Sequence, residues 1–428
     1  MAEKSWRENF NLIPAGRPLY IWGAHGLGIN VCRSLEARGR APAAFIDGGA
    51  EFTGGLHCGY PVVRPADFLA APPKEAFVIT AIDGRLEESA ALLRGRGLIE
   101  GADFLSGDLI RPYAYNIDVS GACNLKCVSC PRGNVAVQPK AGFMSPELFE
   151  RTVAKIKAED PEASAVFLFI WGDPLMHPQL PRLIEICRAA GLRPLISTNL
   201  KEVRHLEATM KSAPPWIKVS ASGFGPDYER THTGADWSRF EAHLRLLSRL
   251  KAEYAPDTEV EMAYHLYRHN LGEQRLKMKA LCGELGIVFR DIAALVQPLE
   301  EIMKTRGRPW SREAGEAMEM LLLPADEAFR RAEAEKDLPC DRFKEILIGW
   351  DGQVSICCAM FGPENILDDD FMKITLDEIY EKRLNSDLCR RCRESGTHMF
   401  QRQYQLFPWK NWGWRPSILK VEGKTAAS

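Results

Sequence analysis

The chain has 428 residues, too many for one compact hydrophobic core, so two or three domains are expected. Hydrophobic residues at 46% and charged residues at 26% are ordinary globular values and exclude a disordered or fibrous chain. Fifty-five basic and 57 acidic side chains leave a formal charge of −2, without the basic excess usual in nucleic-acid-binding proteins. No apolar run reaches the roughly 18 residues of a membrane helix, and the start of the chain lacks the apolar stretch of a signal peptide. We therefore expect a soluble cytoplasmic protein that neither binds nucleic acid nor spans a membrane.

Residues 1–110 predict a small Rossmann-like α/β domain. Short apolar strands alternate with an amphipathic helix that ends near residue 37, and the strands are predicted at residues 19–22, 43–46 and 77–81. The first strand leads into a turn that contains Gly23, Gly26 and Gly28, and the second strand ends at Asp47. Such glycines let a phosphate approach a helix N-terminus, and the acid is suited to a ribose hydroxyl. The pattern predicts a nucleotide site, but its GxxGxG spacing is equally compatible with a tight turn that binds nothing.

This segment resembles the N-terminal domain of sugar acyltransferases of the bacillosamine-pathway type. The resemblance rests on the strand, the glycine turn, the pair Ile46-Asp47 and the element Gly59-Tyr-Pro-Val62. Domains of that family bind nucleotide sugars. The resemblance therefore implies a sugar-linked substrate.

Residues 111–300 predict a partial (β/α)6 barrel. Apolar strands that end in polar residues alternate with helical segments, and the strands are predicted at residues 115–119, 165–170, 194–196, 216–219, 260–263 and 287–292. Repeated β/α units form a parallel sheet whose chemistry lies at the C-terminal strand ends. A charged helical connector is expected at 301–337, a cysteine-bearing module at 338–396 and an aromatic-rich tail at 397–428. The aromatic residues of that tail are Phe400, Tyr404, Phe407, Trp409, Trp412 and Trp414.

The chain has 12 cysteines, which in a reducing cytosol are more often metal ligands or core residues than disulfides. A first group, Cys123-Asn-Leu-Lys-Cys127-Val-Ser-Cys130, directly follows the first barrel strand. Thiolates are soft ligands suited to iron–sulfur clusters or zinc. Three thiolates without a nearby fourth leave one iron of a four-iron cluster open to an exogenous ligand. Zinc remains the alternative.

The CxxxCxxC motif, its place after a strand and the repeated strands resemble the radical SAM superfamily over about residues 111–295. The resemblance implies a 4Fe-4S cluster whose open iron binds S-adenosylmethionine (SAM). An electron from the reduced cluster then cleaves the sulfonium and releases a 5′-deoxyadenosyl radical. It also implies a flavodoxin or ferredoxin-type reductant and a small-molecule substrate.

The same resemblance implies SAM contacts at the next three strand ends. The implied cofactor-binding residues are Gly172, Asp173, Ser197, Asn199, Ser220 and Ser222. The element Trp171-Gly172-Asp173-Pro174 is similar to the family's Gly-Gly-Glu-Pro turn, which holds the methionine amino group. The element Ser220-Ala-Ser222-Gly is similar to a Ser-Leu-Asp-Gly element that contacts the ribose and carboxylate. Ser129 stands where the family often has an aromatic that stacks on adenine, so stacking must come from elsewhere. The serines and Asn199 are equally compatible with helix caps or turns.

A second cysteine group lies near the C-terminus. Its predicted metal ligands are Cys340, Cys357, Cys389 and Cys392. A Trp350-Asp351-Gly352 turn predicts a hairpin of residues 343–348 and 353–356 that presents Cys340 and Cys357 together. Cys358 competes with Cys357, because neighbouring strand residues point to opposite faces. The arrangement resembles the shortened SPASM module called twitch and implies one auxiliary 4Fe-4S cluster, with four-thiolate zinc as the alternative.

An auxiliary cluster that accepts an electron from a substrate radical would allow net oxidation. The leading hypothesis is a radical SAM oxidoreductase acting on a small, sugar- or nucleotide-sugar-linked biosynthetic intermediate. The alternatives are a peptide maturase that modifies ribosomal peptides, a radical epimerase, and a non-catalytic iron–sulfur or zinc protein. An epimerase needs a hydrogen donor such as Cys187 or Cys282, although both stand in helical segments where core packing is commoner. The sequence assigns no catalytic residue; His265 and His269 are acid/base candidates.

Overall fold

The structure, a computed structural model, describes residues 8–24, 26–49, 55–82, 86–110, 112–305, 312–338, 340 and 342–405. Four aromatic residues of the predicted tail, Phe407, Trp409, Trp412 and Trp414, lie outside the described residues. The chain divides into two compact units, residues 1–113 and 114–428.

The first unit is built on a mainly parallel sheet. Its strands are β1 (Leu19–Trp22), β2 (Ala44–Ile46), β3 (Leu56–His57), β4 (Tyr60–Val63), β5 (Phe77–Thr80) and β6 (Phe104–Ser106). Its helices are α1 (Gly26–Glu36), α2 (Pro65–Ala70), α3 (Leu86–Arg94) and the 3-10 helices Glu8–Leu12 and Gly107–Ile110. The strand order is β3-β4-β2-β1-β5-β6, in which β3 is antiparallel to β4 and the other neighbours are parallel. Leu27 and Val31 of α1 are buried in one core cluster with Ile21 of β1, so apolar burial holds this helix on the sheet.

The second unit begins with parallel strands that are neighbours in chain order. They are β7 (Ala114–Ile117), β8 (Ala165–Phe167), β9 (Arg193–Thr198), β10 (Trp216–Ala221), β11 (Glu259–Leu266) and β12 (Val288–Ala293). The α/β class and the partial barrel expected from the sequence are confirmed. Side chains alternate between the two faces of these strands. Lys218 pairs in register with Ser197 and Glu261, so these residues share one face with Ser220 and His265, here called the inner face.

Helices alternate with these strands and continue beyond them. The helices are α4 (Pro131–Asn134), α5 (Pro146–Glu159), α6 (Leu180–Ala189), α7 (Leu206–Lys211), α8 (Pro226–Thr231), α9 (Trp237–Tyr254), α10 (Glu273–Glu284), α11 (Leu299–Thr305), α12 (Arg312–Met320), α13 (Ala325–Ala334), α14 (Leu376–Leu384), α15 (Asp387–Glu394) and α16 (Phe400–Gln405), with 3-10 helices at Pro174–Met176, Pro363–Asn365, Phe371–Lys373 and Thr397–Met399. Ser145 caps α5, because its Oγ accepts a hydrogen bond from the Leu148 amide at 3.2 Å, and Pro146 follows at the first helical position. Within the described ranges, no helix is long and apolar enough to cross a bilayer.

The C-terminal strands extend the barrel sheet, which the sequence did not predict. They are β13 (Glu345–Ile348), β14 (Val354–Ser355) and β15 (Ile366–Asp368). β13 and β14 form the predicted antiparallel hairpin, although it is shorter than expected. β13 also pairs in parallel with β7, so the hairpin continues the sheet instead of forming a separate one. The strand that precedes the first cysteine group therefore lies beside the strand that leads to the second.

The helical connector is present in its described part, as α11 to α13. Phe400 and Tyr404 of the predicted tail lie in α16 and are buried. The Phe400 ring centroid lies 4.6 Å from that of Phe329 in α13. The described part of the tail thus packs against the connector.

Candidate cofactor and cluster site

The loop of Cys123, Cys127 and Cys130 is held by backbone hydrogen bonds. The Cys130 amide donates to the Cys127 carbonyl at 3.1 Å. The amides of Lys126 and Val128 donate to carbonyls of the segment 231–233, at 2.9 and 3.2 Å. A Cβ added at Gly133 would lie 2.3 Å from the Cys127 carbonyl oxygen, so only glycine fits there. This close packing gives the loop one defined shape.

The three thiols of this loop are buried enough to resist ionisation. Burial raises the pKa of Cys123 and Cys127, and raises that of Cys130 to about 12. The neighbouring thiols raise the pKa of Cys127 further, so all three lie within electrostatic reach of one another. Across the described residues, no three His, Cys, Asp or Glu side chains converge as the ligands of a single metal ion would. The donor set fits an iron–sulfur cluster, whose positive irons stabilise the thiolates and in which each thiolate binds a different iron.

The turn after β8 is packed onto the segment that precedes Cys123. A Cβ added at Gly172 would lie 1.4 Å from the Ser120 carbonyl oxygen, so the position admits no side chain. The buried Asp118 carboxylate accepts hydrogen bonds from the amides of Ile170, Trp171 and Gly172 at 3.1, 3.2 and 3.1 Å. Sequence reasoning missed Asp118, although an acid that follows an apolar strand was a usable signal.

Asp173 lies in this turn but points into the protein. Its carboxylate accepts hydrogen bonds from the amides of Leu175 at 2.9 Å and Asn199 at 2.8 Å, and from the Thr198 hydroxyl. Burial raises the pKa of Asp173 to about 6. The structure therefore gives Asp173 a positioning role at Asn199, where the sequence predicted a direct cofactor contact.

Asn199 lies beside the cysteine loop. Its Nδ2 donates to the Cys123 Sγ at 3.5 Å and to the Asn124 Oδ1 at 3.1 Å. Ser197 and Ser220 lie on the inner face, and their hydroxyls hydrogen-bond to no other described residue. Asn199 thus contacts the cysteine loop, and the role of these three residues in SAM binding stays a prediction.

Ser222, by contrast, is fully buried in a polar network. Its hydroxyl hydrogen-bonds to the Thr231 hydroxyl and to His232 Nδ1, the latter at 3.0 Å. Burial lowers the pKa of His232 to about 3, so its ring stays neutral. Because the segment 231–233 also accepts hydrogen bonds from the cysteine loop, this network links Ser222 to that loop, and a contact of Ser222 with SAM stays a prediction.

Tyr267 places an aromatic ring next to Ser129, the position at which radical SAM proteins often have an aromatic residue. Its hydroxyl donates to the Ser129 Oγ at 2.9 Å. The His269 ring stacks on Tyr267 at 5.6 Å, and neither His269 nitrogen has a hydrogen-bond partner in the described part of the chain. Sequence reasoning missed Tyr267, because it lies more than a hundred residues from Ser129 in the chain.

The comparisons with known proteins agree with this geometry. Residues 117–265 match the family model of the radical SAM superfamily. Residues 117–265 are therefore similar to a radical SAM domain. Members of this superfamily are enzymes that use a 4Fe-4S cluster and SAM. No curated protein matches the sequence.

Solved structures with some similarity to the chain include the following three. Streptococcus suis SuiB bound to its precursor peptide SuiA shares 13% identity at a TM-score of 0.45, over 74% of each chain. Native anSMEcpe with bound AdoMet shares 16% identity at 0.45, over 72% of this chain and 99% of that one. BtrN in complex with AdoMet and 2-DOIA shares 15% identity at 0.40, over 68% of this chain and 92% of that one.

The second cysteine group lies outside the matched residues of the radical SAM domain. Cys389 and Cys392 stand three residues apart on α15 and so share one helix face. Both thiols lie within electrostatic reach of Cys357, and Cys392 also within reach of Cys340. Their role as the ligands of one cluster stays a prediction, because in the described part of the chain no three His, Cys, Asp or Glu side chains are placed to hold a single metal ion. A hydrogen bond from the adjacent Cys358 thiol lowers the pKa of Cys357.

The hairpin turn of this second region is inserted against the radical SAM domain. Trp350, at the β13–β14 turn, lies between two glycines of the loop after β7. A Cβ added at Gly121 would lie 2.2 Å from Trp350 Cδ1, and one at Gly142 would lie 2.3 Å from Cζ3. The Gly121 amide also donates to the Gly142 carbonyl at 2.9 Å. Both glycines are required for the indole to fit.

The chain after Cys358 makes a further contact with the radical SAM domain. The Phe361 ring lies edge-on to Trp171, with centroids 5.5 Å apart, and 5.2 Å from the Arg132 guanidinium. The buried Glu300 carboxylate accepts hydrogen bonds from the amides of Phe361 at 2.7 Å and Gly362 at 2.6 Å. Side chains that follow Cys130 and Cys358 therefore touch each other.

In the first unit, the predicted nucleotide-binding residues have packing roles. Asp47 accepts hydrogen bonds from the amides of Ala24 and Gly49, both at 2.8 Å, so each carboxylate oxygen is engaged. A Cβ at Gly28 would lie 1.9 Å from the Gly23 carbonyl oxygen, and Gly23 has a φ of +123°. Gly26 begins α1. The turn is closed on itself by these contacts, and its nucleotide site stays a prediction.

Proposed function

We propose that this chain is a radical SAM oxidoreductase that abstracts hydrogen from a small, sugar- or nucleotide-sugar-linked intermediate, with net oxidation through an auxiliary cluster. The observation that carries the proposal is the convergence at the end of the barrel. There the Cys123 thiol contacts Asn199, and the Gly172 turn is packed onto the segment before Cys123. The loop that carries the three cysteines thus lies beside the C-terminal ends of two further strands, β8 and β9.

The residues present fit both the cluster and SAM. Cys123, Cys127 and Cys130 would hold the cluster. The SAM-binding set would be the backbone at Gly172 with Ser197, Asn199 and Ser220. When bound, these cofactors supply a 5′-deoxyadenosyl radical by reductive cleavage of the sulfonium.

Other residues of the chain orient this set. Asp118 fixes the turn of residues 170–172 through three amide hydrogen bonds. Asp173 fixes the backbone of Asn199. Tyr267 covers the loop at Ser129 and helps to exclude water from the cluster.

The second cysteine group would hold one auxiliary 4Fe-4S cluster, in a module of residues 338–396. Cys357 is proposed over the adjacent Cys358, because its Sγ accepts a hydrogen bond from the Ala359 amide at 3.4 Å, which suits a thiolate ligand. Four thiolates occupy every iron, which suits electron acceptance and not substrate coordination. The contact of Phe361 with Trp171 provides a packed path between the two groups.

The sugar-linked substrate rests on the resemblance of residues 1–110 to the N-terminal domain of sugar acyltransferases. A small-molecule substrate also suits an inner face lined by separate polar groups. A flavodoxin or ferredoxin would supply the electron. In the expected reaction the substrate would lose one hydrogen atom to the 5′-deoxyadenosyl radical, one electron to the auxiliary cluster and one proton to solvent.

Anaerobic reconstitution with iron and sulfide tests this proposal. We expect about eight irons per chain and formation of 5′-deoxyadenosine with SAM and dithionite. Cys127→Ala should retain about four irons and form no 5′-deoxyadenosine. Cys187→Ala is the matched control, because Cys187 is a buried core residue of α6 and should change neither result. Zinc as the bound metal, or unchanged 5′-deoxyadenosine in Cys127→Ala, would refute the proposal.

The substrate class is tested by consumption of SAM. Nucleotide sugars should increase 5′-deoxyadenosine formation above the level without substrate, and mass spectrometry should find a product two mass units lighter. Stimulation by peptides alone would replace the sugar-linked substrate with a peptide. A product of unchanged mass that carries solvent deuterium would indicate epimerisation instead of oxidation.

A further inference from the structure

Lys218 is a cationic side chain of the inner face that forms no salt bridge among the described residues. Glu261 is neutralised by Arg290, whose Nε lies 3.2 Å from the Glu261 Oε2. His265 is neutral, because burial and the nearby Lys218 lower its pKa to about 4, and its Nδ1 lies 3.3 Å from the Ala221 carbonyl oxygen. Among the described residues, no carboxylate lies within ion-pair distance of Lys218. Burial lowers the pKa of Lys218, and the charge that opposes this shift is that of Glu261, which already pairs with Arg290.

The Lys218 ammonium lies against aromatic rings, and the predicted SAM-binding residue Ser220 follows on the same face of β10. Its Nζ lies 4.9 Å from the centroid of the Phe169 ring and 5.8 Å from that of Trp216. Such cation–π contacts compensate only part of the cost of removing an ammonium from water. Ser220 lies two residues further along β10, about 6–7 Å toward the end where the cysteine loop lies. A ligand below the row of Ser220 and Asn199 would meet the Lys218 ammonium.

From this placement we propose that Lys218 binds an anionic group of the substrate, a phosphate or a carboxylate, on the inner face of the barrel. The inference rests on the proposed function only in placing the substrate on this face. An anion within reach of Nζ would supply a negative charge for the ion pair that Lys218 does not form within the protein. This ion pair would also fix the distance between the substrate and the predicted SAM-binding residues Ser220 and Asn199. Neutral substrates would leave a buried ammonium unpaired, so Lys218 selects against them.

The test uses the reconstituted protein and two probes, inorganic pyrophosphate for phosphate and malonate for carboxylate. Calorimetric titration of the wild type should show saturable binding of at least one probe. Lys218→Met should bind that probe about tenfold more weakly or worse, because a hydrogen bond to a charged group is lost. Lys218→Arg keeps the charge and should stay within a few-fold of the wild type. Lys277→Met is the matched control, because Lys277 is an exposed lysine of α10 that pairs with Glu273.

A second measurement needs no variant at all. The bound probe should slow acetylation of Lys218 by acetic anhydride in the wild type, measured by mass spectrometry, and leave acetylation of Lys277 unchanged. The probe that protects more strongly identifies phosphate or carboxylate as the anion. Equal binding by wild type and Lys218→Met, no protection of Lys218, or no saturable binding of either probe overturns the inference.

These results are separable from those on the proposed function. If 5′-deoxyadenosine forms but Lys218 binds neither probe, only the anion site fails. If Lys218 binds a probe but no 5′-deoxyadenosine forms, only the proposed function fails.

Discussion

The insertion of Trp350 between Gly121 and Gly142 predicts whether Gly142→Ala lowers or raises the stability of the protein. Gly142→Ala would place a Cβ 2.3 Å from Trp350 Cζ3 and 2.5 Å from Cε3 and Cη2. Ordinary contacts of a Cβ begin near 3.4 Å, so the indole must move by about 1 Å. The φ of Gly142 is not in the left-handed region, so alanine itself is allowed there and the cost comes from the contact with Trp350.

The magnitude follows from two opposing effects. Overpacking a core contact costs about 1–3 kcal/mol of the free energy of unfolding. Replacing glycine by alanine at an allowed position contributes about 0.4–1 kcal/mol, because the unfolded chain loses conformational freedom. In the wild type, Gly142→Ala should therefore destabilise by about 1–2 kcal/mol. In a Trp350→Ala background the contact is gone, and the same substitution should stabilise by about 0.5 kcal/mol.

Thermal unfolding of the reconstituted protein, followed by circular dichroism, measures this double-mutant cycle. A change of 1 kcal/mol shifts Tm by about 2–4 °C in a domain of 150–250 residues, and by less in a larger unit. Gly142→Ala should lower Tm in the wild type and leave it unchanged or raised in Trp350→Ala. Gly283→Ala is the control, because a Cβ at Gly283 in α10 meets nothing within 4 Å. An equal fall in Tm in both backgrounds would refute the contact.

Further changes test the site itself. Gly172→Ala should abolish SAM binding and 5′-deoxyadenosine formation, because a Cβ there would lie 1.4 Å from a backbone oxygen, whereas Gly283→Ala should keep both. Asp118→Asn should weaken SAM binding about tenfold, because an amide group replaces one of the oxygens that accept three amide hydrogen bonds. Cys357→Ala should lose about four irons per chain, and Cys358→Ala should keep all of them.

Each of these predictions has a result that contradicts it. Normal SAM binding by Gly172→Ala would mean that the turn can move away from the cysteine loop. Unchanged SAM affinity in Asp118→Asn would show that the turn is rigid without the carboxylate. Equal iron loss in Cys357→Ala and Cys358→Ala would mean that neither thiol alone completes the auxiliary site. Iron analysis and calorimetric titration with SAM measure these outcomes.

Features encoded within a few residues were predictable. The cap at Ser145 was predicted because a capping hydroxyl and its amide partner lie three residues apart. Cys187 and Cys282 were predicted as core residues and are buried in α6 and α10. The barrel strands were predictable because short apolar runs that end in polar residues alternate with helical segments along the chain. The predicted ends of these strands were less accurate, because the end of a strand depends on where pairing with the neighbouring strand stops.

Roles that depend on distant partners were not predictable. Asp173 resembles a cofactor-binding acid, yet its oxygens bind Thr198 and Asn199, which belong to another strand. Ser222 is likewise taken up by Thr231 and His232. The residue type shows what a side chain can bind, but its orientation decides which of those partners it meets.

By itself, the sequence determined the α/β architecture, the loop with three thiols and the identity of the cysteines that could join a second group. Spacing along the chain is enough for these, because ligands separated by a few residues lie on one loop or one helix face. Only the tertiary structure decided that β13 adds beside β7, that Trp350 is held between Gly121 and Gly142, and that Lys218 lies on the inner face without a carboxylate partner among the described residues. These outcomes depend on pairing and packing between segments far apart in the chain, and the energy of such contacts leaves no periodic signal in either segment alone.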